Sequence, residues 1–441
     1  MLAFSGIIVS AFLILLGQLW YVQIASGAQY RQRAEVNRIR VVSVKPLRGV
    51  VYDRAGRQLA RNVPSFTASI RPADLPKDEV ARTAVFDHLG RIIEVPAEEI
   101  EQIVQEARLD PFTPVRVKAP ISRDQALILE EQHTRLPGVV VQDPPIRGYP
   151  EGAVFGHLLG YTGPLPSNLL DTLLAQGYER DDSIGIAGIE AAFEEELRGT
   201  RGRNQVEVDA MGRVTRKLAT LVPAKPGGNL VLTVDAALQR RAAEVLADAM
   251  VKGKSGQGSL VAIQPQTGEI LALVSLPSYD NNLFAAGISQ ADYQRLSDDP
   301  WRPLVNHAVA GQYTPGSTFK LVTAAAALQE RVVTLQTQVH CPGFITVAGS
   351  TFRDWKVDGH GRVNARQAVA YSCNIFFYSV AGGNPYTGLQ GLKIDRLAEY
   401  ARAFGFGEKT GLRLPGEAAG LVPTREWKRE RKQEAWYIGD D

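Results

Sequence analysis

Cysteine is nearly absent from this chain. Only Cys341 and Cys373 occur among 441 residues, so no disulfide framework holds it together, although one bridge stays open to it outside a reducing compartment. Charge of one sign is also missing: 49 Lys and Arg stand against 47 Asp and Glu, a net charge of +2, which selects no partner. No basic stripe interleaved with aromatics runs along any segment, which argues against nucleic-acid binding. There is no internal repeat and no low-complexity tract, so neither a repeat array nor a long disordered arm is expected. What is there is a globular composition, 45% hydrophobic and 22% charged. The length suits about two or three folded units rather than one.

Residues 2–24 read LAFSGIIVSAFLILLGQLWYVQI, an uncharged apolar run long enough to cross a bilayer, with Trp20 and Tyr21 where interfacial aromatics belong. A cleavable signal peptide would want a basic start and a small-residue cleavage site. The start here is Met-Leu-Ala, and a single transmembrane helix over residues 1–25, kept as an anchor, is the expectation. Arg31, Arg33, Arg38, Arg40, Lys45 and Arg48 follow it. Taken alone, the positive-inside rule would keep that side in the cytoplasm, but the rule is weak where a large domain is translocated. A short basic tail preceding Met1 would remove the conflict.

Residues 27–40 suit a polar amphipathic helix. In Arg48-Gly49-Val50-Val51-Tyr52-Asp53-Arg54-Ala55-Gly56-Arg57-Gln58-Leu59-Ala60, β-formers flank a D-R-x-G turn, which predicts a structural hairpin. Residues 65–141 alternate strand-like and charged helical pieces, as in a small inserted α+β subdomain without chemistry of its own. Blocks at Arg147–Pro150, Gly156–Gly163, Gly185–Glu190, Leu197–Gly202 and Asp209–Arg213 follow. Among them His157 sits with apolar and glycine neighbours, as a structural histidine does. The stretch 223–229, PAKPGGN, has linker composition. After it come a strand, a helix (ALQRRAAEVLADAM) and two strands around Gln266-Thr267-Gly268, the pieces of an α/β sandwich with an antiparallel sheet.

The chemistry centres on Ser317-Thr318-Phe319-Lys320. Pro315 and Gly316 end an irregular segment and an alanine-rich helical run begins, so Ser317 falls in the first helical turn with Lys320 on the same face. A hydroxyl beside an amine that takes its proton is an activated nucleophile, and a helix N-terminus stabilises the alkoxide. S-x-x-K occurs by chance roughly once in a chain this long, so context must carry it. Further on, Ser372-Cys373-Asn374 supplies a hydroxyl and an amide two positions apart, flanked by aromatics.

Together these blocks resemble, in order, the class B penicillin-binding proteins. R-G-x-[IV]-x-D-R-x-G-x-x-L-A is similar to that family's opening motif beyond its membrane anchor, and S-x-x-K followed by S-x-N resembles its first two catalytic motifs. The likeness is strongest to the penicillin-binding protein 2 branch. It implies an α+β multidomain chain: anchor 1–25, a non-catalytic, dimerisation-type pedestal over 26–225 with the subdomain at 65–141, and a serine transpeptidase sandwich over 226–441 lacking its last part. The family's third motif, K-T-G, lies on a strand. Lys409-Thr410-Gly411 instead resembles the family's G-F-G-x-x-T-G-[IL]-x-L-P-G-E block and is expected to be a decoy; the true motif either follows Asp441, the chain being a fragment, or is missing from a truncated, inactive protein.

The resemblance further implies acyl transfer on peptidoglycan stem peptides ending in D-Ala-D-Ala, in lateral wall elongation, with β-lactams as mimics. Ser317 would be the nucleophile, Lys320 its general base, Ser372 a proton relay to the leaving group, and Asn374 the residue that positions substrate and Lys320. No cofactor is needed for that chemistry. Partners would be the membrane, a RodA-like SEDS glycosyltransferase and other elongation proteins, at the bacterial plasma membrane with an extracytoplasmic catalytic domain. A β-lactam sensor or class D β-lactamase relative would lack the long pedestal, and a non-catalytic scaffold that activates the polymerase would keep it.

Cys341, Asp354, His360 and Cys373 form a possible tetrahedral structural zinc set, without the close C-x2-C pairing of strong zinc signatures. The penicillin-binding protein 2 branch looks similar here. A Cys341–Cys373 disulfide and two free thiols remain open beside it.

Overall fold

The computed structural model describes residues 12–21, 24, 38–106, 111, 114–142, 145–208, 214–285 and 287–436. They fall into two compact units, Met1–Val305 and Asn306–Asp441. Residues 12–20 are helical and exposed, and no helix among the described residues is long and apolar enough to cross a membrane. Most of the expected anchor, residues 27–37 of the expected amphipathic helix, and Asp209–Arg213 lie outside the described residues.

In the first unit the expected hairpin forms, with Val51–Tyr52 antiparallel to Gln58–Val63. Its turn shows why D-R-x-G is written there. The Asp53 carboxylate accepts from the Ala55 and Arg57 amides at 2.9 and 2.8 Å, and Gly56 takes φ +81°, where a side chain would be strained. Asp53 is itself buried, because its other oxygen accepts from the Ala236 amide at 3.3 Å. The hairpin belongs to a four-stranded sheet in the order Leu230–Val231, Val51–Tyr52, Gln58–Val63, Ile146–Gly148, whose first pair is parallel. A second sheet joins Ile39–Val44, Gly202–Val208 and Val214–Val222.

Residues 66–142 form the inserted subdomain. Phe66–Ile70 is the middle strand between Val115–Ile121 and Val139–Gln142. Helices Glu79–Ile93, Ala97–Glu106 and Arg123–Glu131 cover it, and Phe86, Leu89, Ile93, Ile100 and Leu129 make a core of its own. Buried apolar area of this kind is what allows a short insert to hold its shape.

The opening motif and the blocks at Arg147–Pro150 and Gly185–Glu190 are fastened by one buried carboxylate. Glu190 meets Arg48 Nε and Arg147 Nε, each at 2.6 Å, while Arg48 also reaches Glu194 at 2.7 Å. Three segments far apart in the chain therefore close on one charge, and removing any partner would strand the others in the interior. Burial would lower the Arg48 guanidinium, but Glu190 and Glu194 hold it above its ordinary value.

The stretch 223–229 is not a free linker. Lys225 exchanges backbone bonds with Thr200, Gly227 N donates to Leu47 O, and Gly228 N donates to Glu196 O. A Cβ on Gly227 would lie 1.8 Å from Leu197 O, so the composition that reads as flexible serves close backbone approach. Residues 226–305 fall within the first unit. Helix Ala236–Gly253, capped by Asp235, packs on the hairpin of Gly258–Ile263 and Ile270–Leu276. Buried Gln239 ties Leu273 to Val154. His157 is structural: Nε2 bonds Pro277 O at 3.2 Å and the ring stands edge-on to Tyr279.

Candidate active site

The second unit is built around the alanine-rich helix Lys320–Gln329. Ala324, Ala326 and Ala327 are buried, and their small side chains let the helix press against Ile375, Phe376 and Val380 of helix Asn374–Gly382. This contact brings the two motifs together. The expected first α-turn is a 3-10 turn, Gly316–Phe319, leading straight into the α-helix. Gly316 takes φ +57° with open space around it, and Ser317 is left exposed at the corner. Lys320, three residues on, faces the same way.

The second motif is positioned by an unusual helix end. Asn364 and Gln367 form a capping box that starts helix Ala365–Ala370. At its far end Ser372 adopts φ +53°, a left-handed conformation that glycine normally supplies at this point. The strain turns both polar groups of Ser372 toward Lys320, whose Nζ donates to Ser372 O at 2.7 Å and lies 2.9 Å from Ser372 Oγ. Nζ also donates to Asn374 Oδ1 at 2.5 Å. Ser372 Oγ in turn donates to Ser317 Oγ at 3.0 Å. No hydrogen bond links Ser317 directly to Lys320 among the described residues, so the path between nucleophile and amine runs through Ser372. Burial lowers the Lys320 pKa, with Asp354 and Cys373 opposing. The Phe377 ring lies 5.6 Å from Nζ.

Asp354 has a role that its sequence position does not show. Its Oδ2 accepts from the Asn374 and Ile375 amides at 2.8 and 3.3 Å, a charge-assisted cap on the second-motif helix. Burial would raise its pKa, yet the backbone bonds of Lys356, Ile375 and Asn374 and the Cys373 thiol hold it below the usual value. Trp355 Nε1 donates to Tyr371 O at 3.1 Å, and His360 sits between the Trp355 and Tyr371 rings. A carboxylate capping a helix 20 residues later leaves no local sequence signal beyond the D-W step.

Of the four proposed metal ligands, atoms of Asp354, His360 and Cys373 all lie within 4.8 Å of one another. Cys341 is both buried and free, 2.7 Å from Cys373 Sγ. That hydrogen bond leads the causes that lower the Cys373 thiol pKa and raise that of Cys341. His360 Nε2 is 3.3 Å from Asp354 Oδ1 without hydrogen-bond geometry and is buried with no other partner. An orphaned imidazole nitrogen facing a carboxylate and a thiol fits a closed zinc site.

Lys409 stands in a loop rather than on a strand. Thr410 beside it gives both its amide and its hydroxyl to Glu417, at 2.9 and 2.6 Å.

Residues 43–232 match the Penicillin-binding Protein dimerisation domain and residues 258–439 the Penicillin binding protein transpeptidase domain. The chain is 37% identical to the Peptidoglycan D,D-transpeptidase MrdA of Escherichia coli K12, covering all of this chain and 67% of that one. It is 35% identical to the MrdA of Acinetobacter baumannii, covering 99% of this chain and 62% of that one. It thus spans about two thirds of the length of these relatives. A solved complex of PBP2 with MreC from Helicobacter pylori superposes with a TM-score of 0.77 at 27% identity, over 91% of this chain and 72% of that one. The order of the pedestal blocks, the paired motifs and these matches agree: the chain belongs to the penicillin-binding protein family, in the branch of MrdA and PBP2.

Proposed function

We propose that the protein is a peptidoglycan D,D-transpeptidase that works through an acyl-enzyme on Ser317. The observation that carries the reading is the continuous path Ser317 Oγ, Ser372 Oγ, Lys320 Nζ. In the reactive state Lys320 is neutral, a condition that burial favours. Ser317 attacks the penultimate D-Ala carbonyl of a stem ending in D-Ala-D-Ala, and its proton passes through Ser372 to Lys320. The amide C–N bond breaks, the terminal D-Ala leaves with the proton returned through Ser372, and the acyl group stays on Ser317. An amine of a neighbouring stem then attacks the ester, gives up its proton to the same path and restores Ser317. Asn374, held at Lys320, keeps the amine in register and presents its amide to substrate. In a β-lactam the broken C–N bond lies in a ring, so the leaving nitrogen stays tethered and blocks the second attack.

Labelling with fluorescent penicillin tests this. The protein labels, and the Ser317→Ala variant loses the label; persistent labelling of that variant would remove Ser317 from the mechanism.

The reading extends to place and partners. The apolar run at 2–24 would hold the protein in the bacterial plasma membrane as a single-pass anchor, with the catalytic unit outside the cytoplasm. The pedestal would dock on elongation proteins and on a RodA-like SEDS glycosyltransferase, a reading supported by the solved complex of Helicobacter pylori PBP2 with MreC. This docking role does not compete with catalysis, and a labelling-negative protein that still bound those partners would leave it standing alone.

We also propose that Cys341, Asp354, His360 and Cys373 hold a structural zinc ion. The ion would tie the Asp354 loop to the second motif, with no part in acyl transfer. Metal analysis of purified protein decides it: about one zinc per chain, lost in Cys373→Ser. A metal-free wild type would leave the thiol pair in its place.

A further inference from the structure

The first unit contains a cavity of about 710 Å³ far from the Ser317 chemistry in sequence, lined by residues between Ser43 and Ala285. Strands of both pedestal sheets, the inserted subdomain and the 177–203 segment all contribute to it. Its walls are unevenly charged. Arg201 and Lys45 are met by Glu179, Asp181 and Asp182, and Arg48 and Arg147 by Glu190 and Glu194. After these pairs, Arg116, Arg198 and Arg203 line the cavity with no carboxylate partner among the described residues, Arg198 lying over the Tyr178 ring, against a single surplus acid beside Arg201.

Two lining side chains have hydrogen-bonding groups without a partner among the described residues. Arg147 is 5% exposed and uses only Nε on Glu190; Nη1 and Nη2 are buried without a partner. Thr67 is 2% exposed and its hydroxyl is likewise unpaired. Buried polar groups in folded proteins are nearly always hydrogen-bonded, and a guanidinium left half-satisfied is among the more expensive exceptions. The missing partner must be an acceptor, since Arg147 can only donate. A ligand with several oxygens would satisfy both terminal nitrogens at once, and one with more than one negative charge would balance the surplus of cations. A planar guanidinium fork beside further arginines is the arrangement that recognises phosphate.

We propose that this cavity is a binding site for a phosphate-bearing ligand, with Arg147 and Thr67 at its floor and Arg116, Arg198 and Arg203 around it. Such a ligand would fasten the subdomain strand carrying Thr67 to the pedestal strands carrying Arg147 and Arg203, and so set the rigidity of the pedestal independently of the acyl-transfer site.

Calorimetric titration of the protein with inorganic pyrophosphate at low ionic strength reads the site directly. Saturable binding with one ligand per chain is expected, weakened about tenfold or more in the Arg116→Gln, Arg203→Gln double variant and in Thr67→Val. These variants leave the Glu190 ion pairs untouched, so they avoid the folding risk of replacing Arg147, and their thermal unfolding checks that they are folded. Dihexanoyl phosphatidic acid below its micellar concentration gives the second arm. Tighter binding than pyrophosphate assigns the site to a lipid headgroup, and equal or weaker binding assigns it to a soluble phosphate. Absence of saturable binding with both probes overturns the proposal. So does binding that is unchanged in the three cavity substitutions but falls in Arg241→Gln, a residue outside the cavity, because that result describes general attraction to a basic surface.

Discussion

Two substitutions at Ser372 separate its chemistry from its backbone. Ser372→Ala and Ser372→Gly both delete the hydroxyl that joins Ser317 to Lys320. If that hydroxyl is the proton path, both variants lose acylation by about 10²–10⁴-fold, the range of general acid–base assistance. They differ in the backbone. At φ +53° an alanine carries the left-handed penalty of about 1–2 kcal/mol, which glycine escapes. Glycine's looser unfolded chain takes back about 0.5–1 kcal/mol. Ser372→Gly is therefore the more stable of the two by roughly 0.5–1 kcal/mol, or roughly 2–4 °C in a unit of this size. The assays are the second-order rate of acylation by fluorescent penicillin and thermal unfolding of the same samples. An alanine variant as stable as the glycine variant would refute the strain argument, and acylation at the parental rate in either would refute the relay.

Acylation should rise with pH along a limb whose midpoint lies below the ordinary lysine value of 10.5, because burial lowers Lys320 and the neutral amine is the active form. A stopped-flow pH profile with a midpoint at or above that value would show that Lys320 is not the titrating base. Lys409→Ala, in contrast, should leave penicillin labelling within about twofold of the parent, since the loop's own fastenings are Thr410 on Glu417 and Phe406 on Phe319 rather than the Lys409 side chain. A loss of about tenfold or more would restore Lys409 to the site.

Much of this architecture is written locally. The D-R-x-G turn is explained within five residues, by Asp53 accepting from Ala55 and Arg57 and by Gly56 at positive φ. The alternation of residues 65–141 reports a separate core because its apolar positions pack on one another. S-x-x-K sets Ser317 and Lys320 on one face by helical geometry alone. What sequence hides is what distant segments decide. Ser372 is left-handed because a helix ends there, with the Cys373 amide on Ala368 O, but no glycine marks the position and its hold on Lys320 comes from another helix. Spacing puts Ser317 and Lys320 on one face, but the hydrogen bonds that join them through Ser372 depend on the packing of two helices. Asp354 reads as a metal ligand and is also a helix cap, since the amides it accepts belong to another element. The composition of 223–229 suggests freedom, whereas Gly227 is glycine because Leu197 O leaves no room for a side chain.

The parallel pairing of Leu230–Val231 with Val51–Tyr52 has a consequence for how the protein is made. The Val50 amide waits for the Asn229 side chain, 179 residues later, and the Asp53 carboxylate for the Ala236 amide, 183 residues later. At about 5–20 residues per second of synthesis, the outer edge of the first hairpin stands open for roughly 10–40 s after it is made. An open strand edge is a template for pairing with another chain. The nascent pedestal therefore passes through an interval in which its first-made sheet needs shielding, and that interval ends only when the strand at 230 arrives.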